Sequence, residues 1–267
     1  MRAWQFSRPK GPGYGISKSY YLGVLTPDVE LPSPFQIANP KGESGAVTGF
    51  VAPLDEATNK DALNLPLRRG VYVVASKDRK TVLRMMVMEA RESGVDPHTI
   101  SSAIGLAFVP LWLLQFTFES HDADVVPAVE FLLDLVNRIG LLTQGIIADP
   151  LSRRYLLPAE VFVQPRIPGI LQPAEHISIV LRTNGSAISL GMQKFGLPEF
   201  EIRNVAEDGL EGAGRMILSA AVLVFGGGKF SDGLRLEIDG TAVTIRTGGS
   251  DPSWLGLPVW EIDPKRA

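Results

Sequence analysis

The densest group of side chains that could do chemistry lies at residues 119–124, with the sequence ESHDAD. His121 with Asp122 or Asp124 could bind a hard metal ion or form an acid–base pair, because imidazole and carboxylate groups serve both purposes. The same segment joins a predicted strand to a predicted helix, where an aspartate is commonly needed as the N-cap. The spacing favours a helix cap, and this group is also the first candidate active site.

Glu199 and Glu201 form a second carboxylate pair. They lie two residues apart on a predicted strand, so their side chains share one face. Such a pair could hold a metal ion or act as acid and base, in combination with His121, Asp122 and Asp124. The simpler interpretation is that they lie on the solvated face of an antiparallel sheet.

Two glycine-rich segments look like parts of phosphate loops. Residues 208–214 have the order GxxGxG, whereas the dinucleotide fingerprint is GxGxxG. Residues 226–229 (GGGK) follow a predicted helix, whereas a Walker loop precedes one. We therefore predict that no nucleotide binds there, and the motifs indicate no cofactor and no dedicated metal site.

One group of basic residues could meet an anionic partner. No aromatic residues alternate with these cations, so base stacking is not indicated and nucleic acid is not the expected partner. A solvated helix face explains the group, and its last three members are interface candidates. Its members are Arg68, Arg69, Lys77, Arg79, Lys80 and Arg84.

Composition narrows the class of protein. The chain has 267 residues, 45% of them apolar, and a net charge of −3, which indicates a globular protein rather than a generally basic nucleic-acid binder. It has no cysteine, so disulfides and thiolate metal sites are excluded. No signal-peptide core or membrane-length apolar run occurs, and we expect a soluble, cytoplasmic protein.

The elements that would position these residues fall into two lobes. Residues 1–67 read as an irregular N-terminal arm, 68–162 as the first lobe and 176–267 as the second. Residues 163–175, which contain three prolines, read as a linker. We predict an α+β fold with mixed, mainly antiparallel sheets and about three principal helices.

Helical periodicity predicts those three helices. The first runs over residues 77–93 after Ser76, the second follows Asp122 or Asp124, and the third covers residues 210–225. The strand candidates include residues 111–118, 187–191 and 200–205. A hairpin is predicted across Asp239 and Gly240, a strong two-residue turn signal.

Residues 191–202 read GMQKFGLPEFEI. This stretch resembles a TxGLxxFGxPELEI signature of uncharacterised bacterial proteins that share a domain of unknown function. Residues 140–158 and 230–245 look like other parts of that domain. Met192 and Phe200 replace the usual leucines and keep an apolar side chain. The resemblance implies bacterial origin and a link to conflict or secretion systems.

The C-terminal tail is a further interaction candidate. Trp254, Leu257 and Trp260 place much apolar surface in a short segment that either docks on its own lobe or binds a partner. We predict a non-enzymatic protein-interaction or accessory protein with a protein partner or a homo-oligomeric state and no membrane contact. The alternative is a metal-dependent or acid–base enzyme that uses the His121 group.

Overall fold

The chain divides into two compact units. A computed structural model describes residues 14–27, 30–38, 50–53, 63–77, 80–94, 96–119, 124–160, 171–251 and 257–264. Residues 18–165 form one unit, here called the first unit. Residues 166–267 form the second unit together with residues 1–17. The predicted linker lies largely outside the described residues, and its last residues begin a helical turn.

The first unit is built on a seven-stranded antiparallel sheet with the order β2-β3-β4-β5-β1-β6-β7. The first strand lies in the interior of this sheet, so residues 18–67 include a core strand as well as irregular segments. Its neighbours are β5 and β6. The strands are β1 (Tyr21–Thr26), β2 (Phe50–Pro53), β3 (Gly70–Ala75), β4 (Val82–Glu89), β5 (Trp112–Phe118), β6 (Ile146–Asp149) and β7 (Arg154–Leu156).

The described residues of the first unit form three α-helices: α1 (Pro34–Ala38), α2 (Pro97–Ile104) and α3 (Val125–Thr143). The second predicted helix is confirmed as α3, whose apolar stripe is fully buried at Val129, Leu132, Val136 and Ile139. α3 packs on β1 and β6. The helix ends at Gln144, which adopts a left-handed conformation with φ of 49°.

The prediction of a helix at residues 77–93 is wrong. The described residues of this segment include the strand β4 and a 3₁₀ turn, Ala90–Ser93. Leu83, Met85 and Val87 alternate inward and are buried, which is the two-residue period of a strand. Val82, Met85 and Met86 also fit helical spacing, so the apolar pattern alone is compatible with a helix. The segment is a strand because it pairs with β3 and β5.

The second unit contains a six-stranded sheet with the order β11-β12-β13-β10-β9-β8. Among the described strands of this sheet, β10 and β13 are parallel neighbours and the other neighbouring pairs are antiparallel. The strands are β8 (Ser178–Arg182), β9 (Ser186–Leu190), β10 (Glu199–Ile202), β11 (Arg235–Ile238), β12 (Thr241–Asp251) and β13 (Leu257–Pro264).

Two α-helices accompany this sheet: α4 (Pro173–His176) and α5 (Leu210–Phe225). The bounds of α5 confirm the third predicted helix, and its buried residues include Ala213, Ile217 and Val224. The hairpin is also confirmed, because Asp239 and Gly240 join β11 to β12 with φ values of 49° and 76°. Both residues have positive φ, as a type I′ turn requires.

These elements confirm the α+β fold class with mainly antiparallel sheets. Three helices are long, α2, α3 and α5, but α2 replaces the one expected at residues 77–93. Within the described part of the chain, none of the helices has the length and apolar character needed to cross a membrane.

Candidate functional site

The structure divides the predicted catalytic residues between the two units. His121 and Asp122 lie outside the described residues. Asp124 is exposed and directly precedes α3, but its side chain makes no capping hydrogen bond, contrary to the expected cap. Glu199 and Glu201 belong to the second unit. Of the described residues, no group of three or more acidic or histidine side chains is placed to hold a metal ion.

Glu199 lies on a buried face of the sheet, so the expectation of a solvated face is wrong. Its side chain is 1% exposed. One carboxylate oxygen accepts the Ser189 hydroxyl at 2.6 Å and the Met192 N–H at 3.3 Å. The other oxygen accepts the N–H groups of Gly191 at 2.9 Å and Gln193 at 3.3 Å.

These donors explain why a carboxylate is needed there. Residues Met192–Phe195 form a 3₁₀ turn whose first N–H groups have no partner within the turn. Glu199 reaches back from β10 and accepts them, as an N-cap side chain would. Burial raises the pKa of Glu199, although the bonds from Ser189 and the backbone act in the opposite direction.

Lys194 is the buried cation of the same segment. Its side chain is 0% exposed, and its ammonium group donates to the carbonyl oxygen of His176 at 2.5 Å. That carbonyl belongs to the last residue of α4, so Lys194 caps a helix C-terminus. The carbonyl oxygen of Lys194 accepts the N–H of Ser17 at 2.7 Å, which ties an N-terminal residue to the signature.

Glu201 is buried within an ion-pair network. Its oxygens lie 3.3 Å from an Arg182 nitrogen on β8 and 2.8 Å from Arg203 Nε just after β10. Arg203 also lies 3.9 Å from Glu261 on β13. Since both buried glutamates are bound by groups of their own unit, their arrangement serves to hold the sheet and the 3₁₀ turn together.

Aromatic packing completes the signature. Phe195 and Phe200 are buried, whereas Leu197 is only partly buried. The Phe195 ring lies 5.0 Å from the ring of Phe225, 5.5 Å from His176 and 5.9 Å from Tyr14, centroid to centroid. Residues 191–202 are therefore a folding element of the second unit.

A cleft of about 820 Å³ lies at the carboxyl ends of β10 and β13, beside the first turn of α5. Gly209 and Gly212 open onto it, and Ile202 and Met216 provide apolar lining. Asp208 lies in a 3₁₀ turn, and Gly209 occupies the N-cap position of α5 without a side-chain hydrogen bond. The rim charges are engaged within the unit, as in the 2.6 Å pair of Arg246 with Asp263.

The predicted interface residues have varied surroundings. Trp260 lies on β13 inside the sheet, with its ring 5.8 Å from the rings of both Phe200 and Phe230. Leu257 begins the same strand, and Trp254 is outside the described residues. Arg84 pairs with Glu119 at 2.7 Å, Lys80 is exposed near the β3–β4 turn, and Arg79 is outside the described residues.

Sequence reasoning missed an apolar surface on the first unit, here called the Phe35 surface. It consists of Phe35, Leu65, Leu141 and Leu142, which are 53%, 50%, 64% and 45% exposed. Phe35 and Leu142 line one pocket of about 570 Å³ together with Glu30, Gln36 and Pro66. The sequence contained one signal of the helix that carries Phe35. Ser33 and Gln36 have the spacing of a capping box, which predicts the start of a helix.

Comparisons with protein-family models, with curated proteins and with solved structures each find no match for this chain. The resemblance of residues 191–202 to a bacterial domain of unknown function therefore stays a prediction.

Proposed function

We propose that this protein is a non-enzymatic interaction protein that binds a partner protein through the Phe35 surface. The observation that carries the proposal is a pocket lined by the exposed side chains of Phe35 and Leu142, with exposed Leu65 and Leu141 next in the chain to its lining residues Pro66 and Leu142. A contiguous apolar patch with polar neighbours is typical of a protein–protein contact site, because exposing it to water is unfavourable.

The base of this surface is held rigidly, which favours binding. The Ser33 N–H donates to Gln36 Oε1 at 2.8 Å, and the Gln36 N–H donates to Ser33 Oγ at 3.2 Å. Arg138 of α3 donates to the carbonyl oxygen of Ile37 at 2.8 Å, which joins α3 to α1. A side chain on a preorganised backbone loses less conformational freedom when a partner covers it.

The anchors below the surface are buried. Leu31 is 3% exposed, Ile37 is 0% exposed and Leu67 is 4% exposed. The Leu67 N–H donates to the Pro32 carbonyl oxygen at 3.1 Å, so the segment that carries Leu65 is fixed next to α1. Phe35 is the central anchor of this proposal, because a large aromatic ring contributes strongly to interface energy.

The proposal extends to the setting inferred from the sequence. A bacterial accessory role with a link to a conflict or secretion system is what the resemblance of residues 191–202 implies, and we propose a cytoplasmic location for it. The identity of the captured partner would test that part separately from the interface itself.

The test compares two variants of the full chain in affinity capture from the source cells. Phe35→Asp places a charge in the surface, and Val222→Asp is the matched control, because both side chains are 53% exposed and Val222 lies on α5 of the second unit. A partner should be retained by the wild type and by Val222→Asp and lost by Phe35→Asp.

The captured protein is then purified and titrated against all three chains by calorimetry. Phe35→Asp should weaken binding by about tenfold or more, as loss of an interface anchor does. Equal affinity for Phe35→Asp and wild type would refute the Phe35 surface as the interface, and so would the absence of any differentially retained protein.

A further inference from the structure

The edge strand β8 differs from the other sheet edges of the described structure. Edge strands expose backbone hydrogen-bonding groups, and proteins protect them with charges, proline or short length. β11 has exposed Arg235 and Glu237, β7 has only three residues, and β2 contains Pro53. β8 has five residues, and Ser178 to Leu181 carry neither a charge nor a proline.

Arg182, the one charged residue of β8, does not protect this edge from pairing with another strand. The Arg182 side chain is 13% exposed and lies 3.3 Å from the buried carboxylate of Glu201. By contrast, Leu181 is 50% exposed on this edge. Among the described strands, β8 has a neighbour only on the β9 side.

We propose that β8 pairs antiparallel with β8 of a second copy of this chain, which joins the two six-stranded sheets into one continuous sheet. A two-fold axis at Val180 places Ile179 of each copy opposite Leu181 of the other and Ser178 opposite Arg182. An interface of this kind is self-complementary, as a two-fold dimer requires.

The sequence of β8 suits its own copy. Ile179 lies on the α5 side of the sheet, because a Cβ added at Gly214 would be 3.6 Å from Ile179 Cγ2. Leu181 shares that face, since the two residues are two apart on one strand. Each exposed Leu181 would thus contact an apolar residue, and no charged residue would lie opposite itself.

This inference is independent of the Phe35 surface, which belongs to the other unit. The first test is sedimentation equilibrium of the full chain from low to high micromolar concentration. The wild type should reach twice the mass of one chain, and Leu181→Lys should weaken association by about tenfold or more. Leu157→Lys is the matched control, because Leu157 is 54% exposed and belongs to neither β8 nor the Phe35 surface, so this change should leave the dimer intact.

The second test uses the absence of cysteine from the chain. Residues directly opposite in an antiparallel pair have Cα atoms about 4.5–5.5 Å apart, within the range of a disulfide. Val180→Cys should therefore form a reducible covalent dimer under mild oxidation. Glu237→Cys on the protected edge β11 is the control and should form it much more slowly. Circular dichroism confirms that each variant is folded.

Three results would overturn the proposal. The wild type could stay monomeric at all concentrations. A dimer could persist unchanged in Leu181→Lys, which would assign association to another surface. Val180→Cys could also cross-link no faster than Glu237→Cys, which would mean that the two Val180 residues do not meet.

Discussion

At the scale of single residues, the buried charges of the second unit are explained by the backbone around them. Lys194 caps the end of α4, and Glu199 accepts the N–H groups at the start of the 3₁₀ turn. An unsatisfied buried polar group costs about 1–3 kcal/mol, so each of these side chains removes a penalty that an apolar residue would leave. Charged residues at such positions indicate backbone groups that need partners.

Replacing Glu199 with Gln tests this role. Both carboxylate oxygens of Glu199 accept hydrogen bonds, but a glutamine must direct its NH₂ group toward donors at one of the two positions. We expect the free energy of unfolding at neutral pH to fall by about 1–3 kcal/mol. Denaturant titration of both proteins measures the change, and equal stability would contradict the capping role.

The same pair of proteins has an expected pH dependence. Because burial raises the pKa of Glu199 in the folded state above its ordinary value of 4.5, the folded chain binds this proton more tightly than the unfolded chain. The stability that this proton contributes is fully present below the pKa of Glu199 in the unfolded chain. It is lost as pH rises through the pKa of Glu199 in the folded chain. The stability difference between wild type and Glu199→Gln should therefore shrink as pH rises across that range, and a growing difference would contradict it.

At the scale of elements, β13 holds the second sheet together. It bonds to β10 on one side and β12 on the other, and its Val259 and Ile262 are 2% and 0% exposed. The described part of the C-terminal tail therefore docks on its own unit. Trp260 contributes to this docking through its contacts with Phe200 and Phe230.

Truncation after Asp251 tests the importance of β13. Its removal leaves β10 and the β11–β12 hairpin without the strand that connects them. We expect the second unit to lose its cooperative thermal unfolding transition. Circular dichroism measures this transition, and hydrogen exchange measures the protection of β9 and β10. A chain that ends after Pro264 is the control and should melt nearly as the full chain does. An unchanged melting temperature after Asp251 would contradict a structural role for β13.

At the scale of the whole molecule, the chain contributes to the second unit from both of its ends. Tyr14 donates its hydroxyl to the Phe225 carbonyl oxygen at 3.2 Å, and its ring lies 5.4 Å from that of Phe225. Burial raises the pKa of Tyr14 to about 12. The chain then forms the first unit before returning at residue 166.

Tyr14 should therefore stabilise residues far from it in sequence. Tyr14→Phe removes one hydrogen bond and should cost about 1 kcal/mol, whereas Tyr14→Ala also removes the ring contacts and should cost about 1–3 kcal/mol. Hydrogen exchange of residues 186–202 measures the effect in the second unit. Protection that is the same in all three proteins would show that the N-terminal contact contributes nothing.

The sequence by itself determined the features that depend on local spacing. The stripe of α3, the bounds of α5 and the turn at Asp239 and Gly240 follow from residue types within a few positions of each other. Tertiary structure alone decided whether residues 82–89 were helix or strand, since their apolar pattern fits both periods until β3 and β5 pair with them. It also decided the burial of Glu199, because its partners, the Ser189 hydroxyl and three backbone N–H groups, converge only after the sheet has formed. The Phe35 surface and the β8 edge likewise exist only in the folded chain, where exposure depends on which neighbours cover a side chain.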